Sequence, residues 1–367
     1  MKRLYLFVLL AVVSSILKAQ PLAQRLDSLL FNDPMLKTSE VGISVFDLTT
    51  GEQLFQYQDE KLYRPASTEK VVTSVSALGT LGTDYTMDTR LQYTGTIEND
   101  TLKGSLYLIG GFDPEFMDED LDSLVDIIAK SGIRYITDTL AADVSMTDSI
   151  YWGNGWSWDD VPASFQPYMS PLMLNRGCVD VTVIPAQKDS LPQVVCVPAS
   201  DYYQVDNDGV SNNPQAGRLQ ITRNWLPHGN MIHISGNVTK ETTRTLSIYN
   251  SKEFFFQTFV NRLKSKGVEM EHVAFADCPE NDSLTVVTPL FTLERPIGEV
   301  LKQMMKESDN LCAESMFYHM AMNHAQRKRV SDNDGSDAIN HFIKEKLGLI
   351  PDYYNIVDGS GSTLQRR

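Results

Sequence analysis

Cysteine is scarce in this chain. Four in 367 residues are too few for a disulfide scaffold. Basic charge is short as well: 32 lysines and arginines face 47 aspartates and glutamates, a formal net charge of −15. A nucleic-acid binder needs a basic stripe to meet phosphates, and the only basic run is Arg327-Lys328-Arg329. The six histidines (His228, His233, His272, His319, His324, His341) form no H-E-x-x-H and no pair at ligand spacing, so no metal site is expected. His319 and His324 lie on or just past one helical pattern and are expected at the surface. No G-x-S-x-G elbow occurs. No apolar run reaches the roughly 20 residues that span a bilayer. What remains is ordinary globular usage, 42% hydrophobic and 22% charged, which excludes whole-chain disorder.

The one notable apolar run is at the start. Met1-Lys2-Arg3 is a short basic region, Leu4 to Ile16 is almost unbroken apolar, and Ala19 is a small residue before a cut. Residues 1–19 therefore read as a secretory signal peptide, and the mature protein as exported, without a transmembrane anchor. In an oxidising compartment Cys178 and Cys196, in Val/Pro-rich segments that look like neighbouring strands, either pair or stay free thiols. Cys278 and Cys312 are not expected to pair.

Leu22, Leu26, Leu29 and Leu30 share one helical face. Val41–Leu48 and Gln53–Tyr57 alternate around Thr49-Thr50-Gly51-Glu52, which predicts a β-hairpin. Thr68 to Leu81 reads as a helix stopped by Gly82. From Thr86 to about Val286 short alternating stretches dominate, at 90–93, 104–109, 179–184, 194–197, 218–222, 231–234 and 245–249. Two helical patterns interrupt them, Asp118–Ser131 and Ser251–Lys266. Asp118-Glu-Asp120 reads as a solvated helix start. After Pro296 the chain is helical again, with amphipathic runs at Ile297–Glu307, Leu311–Asn323 and Ala338–Lys346. The expected division is one α+β domain from residues 20–85 and 287–367, interrupted by a β-rich accessory insertion at 86–286. Trp152, Trp156 and Trp158 are expected in the core, although such rings also stack on sugars.

Ser67-Thr68-Glu69-Lys70 carries the chemistry. Serine is a weak nucleophile without a base. Positions i and i+3 share a helix face, so Lys70 can reach the Ser67 hydroxyl. A lysine works as a base only if burial lowers its pKa, and Val71-Val72-Thr-Ser-Val75 supports burial. The tetrapeptide alone is weak: Ser15 and Lys18 fit it inside the leader. Context distinguishes Ser67, with a hairpin before it and a helix starting at it. Ser308-Asp309-Asn310 falls in a break between two helices, a place for a loop aimed into a cleft. A second copy, Ser331-Asp332-Asn333, runs into turn composition and reads as a capping loop.

S-x-x-K at a helix start with S-D-N between helices resembles the penicillin-recognising serine hydrolases. The 241 positions from Ser67 to Ser308, with the β-rich insertion they hold, resemble the D-alanyl-D-alanine carboxypeptidase/endopeptidase family of the class C low-molecular-mass penicillin-binding proteins. Arg64-Pro-Ala-Ser-Thr-Glu-Lys70, Leu81-Gly-Thr-Asp-Tyr85, Gly110-Gly-Phe-Asp-Pro114, Gly155-Trp-Ser-Trp-Asp-Asp160 and Asp358-Gly-Ser-Gly361 add to the likeness, in the right order. The resemblance implies a transpeptidase-like fold of helices on an antiparallel sheet. It implies Ser67 as acyl-forming nucleophile, Lys70 as base, Ser308 as proton shuttle and Asn310 as substrate-amide binder. The backbone N–H of Ser67 would supply half the oxyanion hole. Asp358 and Ser360 would belong to the substrate-binding wall. The implied partners are peptidoglycan stem peptides and β-lactams, with no cofactor and a periplasmic setting.

The resemblance also implies a K-T-G or K-S-G strand after Asp-Gly-Ser-Gly. In the 57 residues after Asn310 the lysines are Lys328, Lys344 and Lys346, and none is followed by Thr-Gly or Ser-Gly. The sequence ends six residues after Gly361. A shortened gene, a frameshift near Gly361 and a natural inactive variant each account for this, and impaired activity is the expectation. The alternatives are a β-lactamase or esterase of the same superfamily and an inactive peptidoglycan-binding protein.

Overall fold

The computed structural model describes residues 21–281, 283–350 and 354–363. The expected signal peptide lies outside these residues. The chain divides after Arg64 into two compact units.

The first unit holds α1 (Leu22–Asn32), α2 (Pro34–Thr38), β1 (Ile43–Asp47) and β2 (Glu52–Tyr57). Asp33 caps α2 by accepting from the Met35 and Leu36 amides. The Asp47 carboxylate accepts from the Thr49 and Thr50 amides and closes the hairpin turn, so that Ile43 pairs with Tyr57.

The second unit opens with a 3₁₀ turn, Ala66–Thr68, that runs into α3 (Glu69–Leu81). Gly82, at φ +86°, ends that helix in backbone only glycine adopts freely. A seven-stranded mixed sheet follows. It comprises β3 (Thr86–Thr94), β4 (Thr96–Glu98), β5 (Thr101–Lys103), β6 (Leu106–Ile109), β7 (Tyr135–Asp143), β14 (Glu269–Phe275) and β15 (Val287–Pro296). Its order is β15-β3-β6-β7-β5-β4, with β14 parallel to β7. Two smaller sheets carry β10 (Gln204–Ser211), β12 (Met231–Val238) and β11 (Gln220–Arg223), and β13 (Thr242–Ser247), β8 (Cys178–Ile184) and β9 (Gln193–Val197). α4 (Asp118–Lys130) and α5 (Ser251–Ser265) pack their apolar faces into one core with these strands. The acidic start of α4 is paired rather than merely solvated: Asp118 meets Arg262 and Asp120 meets Arg295.

A second core gathers α3, α6 (Ile297–Glu307), α7 (Asn310–Ala325) and α8 (Asp332–Phe342). Here several expectations are corrected. α7 is not amphipathic, because every residue from Leu311 to Ala321 is buried. His319 is therefore inside, 4% exposed, while His324 is exposed as expected. Residues 333–337 are helix, not loop. Ser331 caps α8 with Asp334 reaching back to its amide, and Gly335 sits where a Cβ would strike the Phe317 ring. Cys178 and Cys196 do lie on neighbouring strands. The register sets Cys196 opposite Val181, three positions from Cys178, and all four cysteines are free. Of the three tryptophans, Trp156 is core but Trp158 is 66% exposed.

Candidate active site

The 3₁₀ turn leaves Ser67 exposed, while Lys70 in the first turn of α3 is 2% exposed. Its apolar sequence neighbours do not bury it: Val71 and Val75 face outward. The cover comes from α7 and from the Asp358–Gly361 segment. Lys70 Nζ lies 3.1 Å from Ser67 Oγ, 2.7 Å from Asn310 Oδ1 and 3.1 Å from the Ser360 carbonyl oxygen. The last two can only accept. A neutral amine has two N–H donors and one lone pair. Two donors to Asn310 and Ser360 leave the lone pair for the Ser67 O–H. An ammonium satisfies the same three neighbours by donating to all, so a proton can arrive without breaking the cluster. Burial pulls the Lys70 pKa below the ordinary amine value, against the opposing charges of Glu314, Asp358 and Asp309.

The Asp358–Gly361 segment is held from both sides. Glu314, wholly buried one turn beyond Asn310 on α7, accepts from the Gly359 amide at 3.2 Å and the Ser360 amide at 3.0 Å. Thr73, one turn beyond Lys70, donates to the Gly359 carbonyl at 2.7 Å. Asp358 accepts from the Gly361 and Thr363 amides, both at 2.8 Å, and from Trp156 Nε1 at 2.9 Å. Gly361, at φ +76°, passes so close to the Ser67 turn that a Cβ there would lie 2.0 Å from the Ala66 carbonyl oxygen. Burial and then the Asp358 charge push the Glu69 carboxyl up to about 7. The same two causes, in the same order, raise Glu314 above the usual carboxylate range.

Asn310 begins α7 and also donates from Nδ2 to the Phe165 carbonyl at 2.8 Å. Asp309 caps that helix through the Cys312 amide at 2.9 Å and pairs with Arg176 at 3.0 Å. Arg176 also holds Glu115, at 2.6 Å. Asp113 closes its turn on the Glu115 amide and pairs with Arg295 at 3.1 Å.

The structure thus brings Ser67, Lys70, Asn310 and Ser360 together directly. Asp358 joins through its carboxylate, which accepts from the Gly361 and Thr363 amides, and is 3% exposed. Ser360 is equally buried, and it is its carbonyl that meets Lys70. Ser308 stands apart: exposed, in left-handed backbone at φ +56° between α6 and α7, with no hydrogen bond to Ser67 or Lys70. Sequence reasoning passed over Glu69, Thr73, Glu314, Trp156 and Arg176. Thr73 and Glu314 were findable, since they lie three and four residues beyond Lys70 and Asn310 on the same helix faces. Among the described residues no group of His, Cys, Asp or Glu has metal-holding geometry, and no helix is long and apolar enough to cross a membrane.

Known proteins resemble this chain in sequence and in fold. The chain is 26% identical over 341 residues to the D-alanyl-D-alanine carboxypeptidase DacB of Haemophilus influenzae, covering 88% of this chain and 67% of that one. It is 28% identical over 307 residues to a D-alanyl-D-alanine carboxypeptidase of an Actinomadura species, covering 80% of this chain and 56% of that one. The crystal structure of penicillin binding protein 4 (dacB) from Haemophilus influenzae superposes with a TM-score of 0.74 at 22% identity, covering 88% of this chain and 71% of that one. The fold is accordingly α+β, of the penicillin-binding-protein type with an additional β-rich part. The D-Ala-D-Ala carboxypeptidase 3 (S13) family profile matches residues 22–367, and the chain belongs to that family.

Proposed function

We propose that this chain is a serine-type D-Ala-D-Ala carboxypeptidase/endopeptidase acting on peptidoglycan stem peptides through an acyl-enzyme on Ser67. The observation that carries the reading is the Lys70 environment: a buried amine with two fixed acceptors and the nucleophile as its third neighbour. Ser67 Oγ attacks the carbonyl of the penultimate D-Ala while its proton passes to Lys70 Nζ. The C–N bond then breaks as the proton leaves Lys70 Nζ for the departing D-Ala amine, with Ser308 as the relay once its turn moves in from the exposed position it holds here. Water adds to the ester by the reverse proton path and frees Ser67. The Ser67 N–H faces the developing oxyanion. Asn310 Nδ2 exchanges the Phe165 carbonyl for a substrate carbonyl. Asp358 and Ser360 serve the substrate from behind, by fixing the Ser67 turn and the Lys70 acceptor.

Residues 20–85 and 287–367 form the peptidase part in this reading, with 86–286 an accessory insertion whose sheet also takes in β15 through its pairing with β3. The protein is exported to the periplasm, and β-lactams acylate Ser67. A structure of the Haemophilus relative is described as complexed with a β-lactam, which supports that point. These 367 residues carry no K-T-G. Loss of one oxyanion donor costs ~10²–10³ in rate. The chain alone should therefore be labelled slowly by a fluorescent penicillin and release little D-Ala, and a segment bearing K-T-G should restore both. Ser67→Ala should abolish labelling. Labelling that persists in Ser67→Ala would sink the acyl-enzyme reading, and release of hydrolysed penicillin within seconds would favour a β-lactamase.

A further inference from the structure

A cavity of about 530 Å³ opens in the second unit, and its walls include neither Ser67 nor Lys70. Its lining is mainly aromatic, with Tyr151, Trp152, Trp158, Tyr168, Trp225 and His228 around it and three aliphatic side chains and one serine between them. Among the described residues no aspartate, glutamate, lysine or arginine lines it. The volume lies within the range of ordinary small-ligand sites.

The cavity is built rather than incidental. The Tyr168 ring is packed edge-on against Tyr249, with centroids 5.1 Å apart, and lies 5.3 Å from Trp152. Beneath it Arg223, 1% exposed, places its Cζ 5.9 Å from the Tyr168 centroid and donates from Nη1 to the Gly229 carbonyl. Against this fixed floor Trp158 is left open to solvent, its ring 5.4 Å from that of Trp225 and tilted by 39°. Exposing that much indole is costly unless a ligand covers it.

The chemistry selects the ligand. A charged group would find no countercharge in this lining. A purely aliphatic one would leave the indole N–H, phenol and imidazole edges unused. A sugar ring has an apolar C–H face for the indoles and a hydroxyl and amide rim for the polar edges. The cavity also shares a chain segment with the catalytic cluster. Residues between Ser149 and Tyr168 line it, and the same stretch sends Trp156 Nε1 to Asp358 and the Phe165 carbonyl to Asn310.

We propose that this cavity binds N-acetylhexosamine units of the glycan strand from which the stem peptide hangs. The inference rests on the peptidoglycan reading above, but its test is separate from the Ser67 chemistry. The probe is the N-acetylglucosamine tetramer, titrated into the full chain and followed by tryptophan fluorescence and calorimetry. Saturable binding is expected. Trp158→Ala and Trp225→Ala should each weaken it about tenfold, and Trp158→Phe should recover most of the loss. Penicillin labelling of Ser67 should keep its rate in all three variants. No saturable binding up to about 10 mM tetramer, or full binding by Trp158→Ala, overturns the proposal. So does displacement of the tetramer by a sugar-free stem pentapeptide, which would assign the cavity to peptide. A chain that binds the tetramer yet resists labelling leaves the sugar site standing and removes the acyl-enzyme reading.

Discussion

Glu69→Gln should change how stability depends on pH, with little change in shape. Glu69 is buried beside Lys70, its Oε1 has no hydrogen-bond partner, and burial together with the Asp358 charge holds its carboxyl near 7 against 4.5 for a free glutamate. Below pH 4.5 the group is neutral folded and unfolded, and it adds no slope. Between 4.5 and about 7 the unfolded chain ionises while the folded one keeps its proton. Each pH unit then removes ~1.4 kcal/mol of folding stability, a total of ~3 kcal/mol by neutrality. Above that the deficit is constant. The wild-type profile alone would hide this, because His319 slopes the other way over much of the same window. The difference between wild type and Glu69→Gln isolates the group, since Glu314 and Asp113, also held above the usual carboxylate range, are common to both. Urea unfolding at intervals from about pH 4 to 8.5 should show similar midpoints at the acid end and a variant more stable by ~3 kcal/mol at the alkaline end. Parallel profiles, differing by under ~0.5 kcal/mol in slope across that range, would refute the burial argument.

Three other outcomes follow from described contacts. His319 sits between the Tyr85 hydroxyl at 2.8 Å and the Gly111 carbonyl at 2.9 Å, so Nε2 carries the proton, and burial lowers its pKa to about 4. Its stabilising contribution is complete above 6.5 and should be lost as pH falls through about 4, ~3 kcal/mol in all; an imidazole titrating near 6.5 by NMR would contradict this. Trp156→Phe removes one donor from the buried Asp358 carboxylate and should destabilise by ~1–3 kcal/mol in thermal or urea unfolding. Gly361→Ala forces a Cβ onto the Ala66 carbonyl at a positive φ, and should slow penicillin labelling more than tenfold while Ser67 and Lys70 are intact; unchanged labelling would show that the segment does not position the nucleophile.

Local order was readable from the sequence because it depends on neighbours. The Ser67–Lys70 spacing, the hairpin, α4 and α6 all follow from short-range periodicity and turn chemistry. What escaped was set by distant packing. The last four residues of β7 are all buried, Leu140 and Ala142 in the core shared with α4 and α5, so no alternation marks it. β10 reads Gln-Val-Asp-Asn-Asp-Gly-Val-Ser, a loop by composition, yet its backbone pairs in parallel with β12. α7 is covered on all sides, and a helix buried all round shows no polar stripe to say which histidine is inside. Lys70 was rightly expected to be buried, but by the wrong atoms, since α7 and the Asp358 segment close over it instead of its own helix.

The partners of Lys70 are spread along the chain in a way that sets a schedule. Ser67 lies three positions away, whereas Asn310 and Ser360 lie 240 and 290 positions further on. A polypeptide made from its N-terminus presents the serine and the lysine first, both still in water. Hydrated, the amine keeps its proton and the hydroxyl remains an ordinary alcohol. Only when the Asp358–Gly361 segment has been synthesised and has folded back against Thr73 and Glu314 does the amine lose its solvent. The cover over the amine is thus assembled late relative to Ser67 and Lys70 themselves, and until it closes the two side chains are ordinary solvated groups.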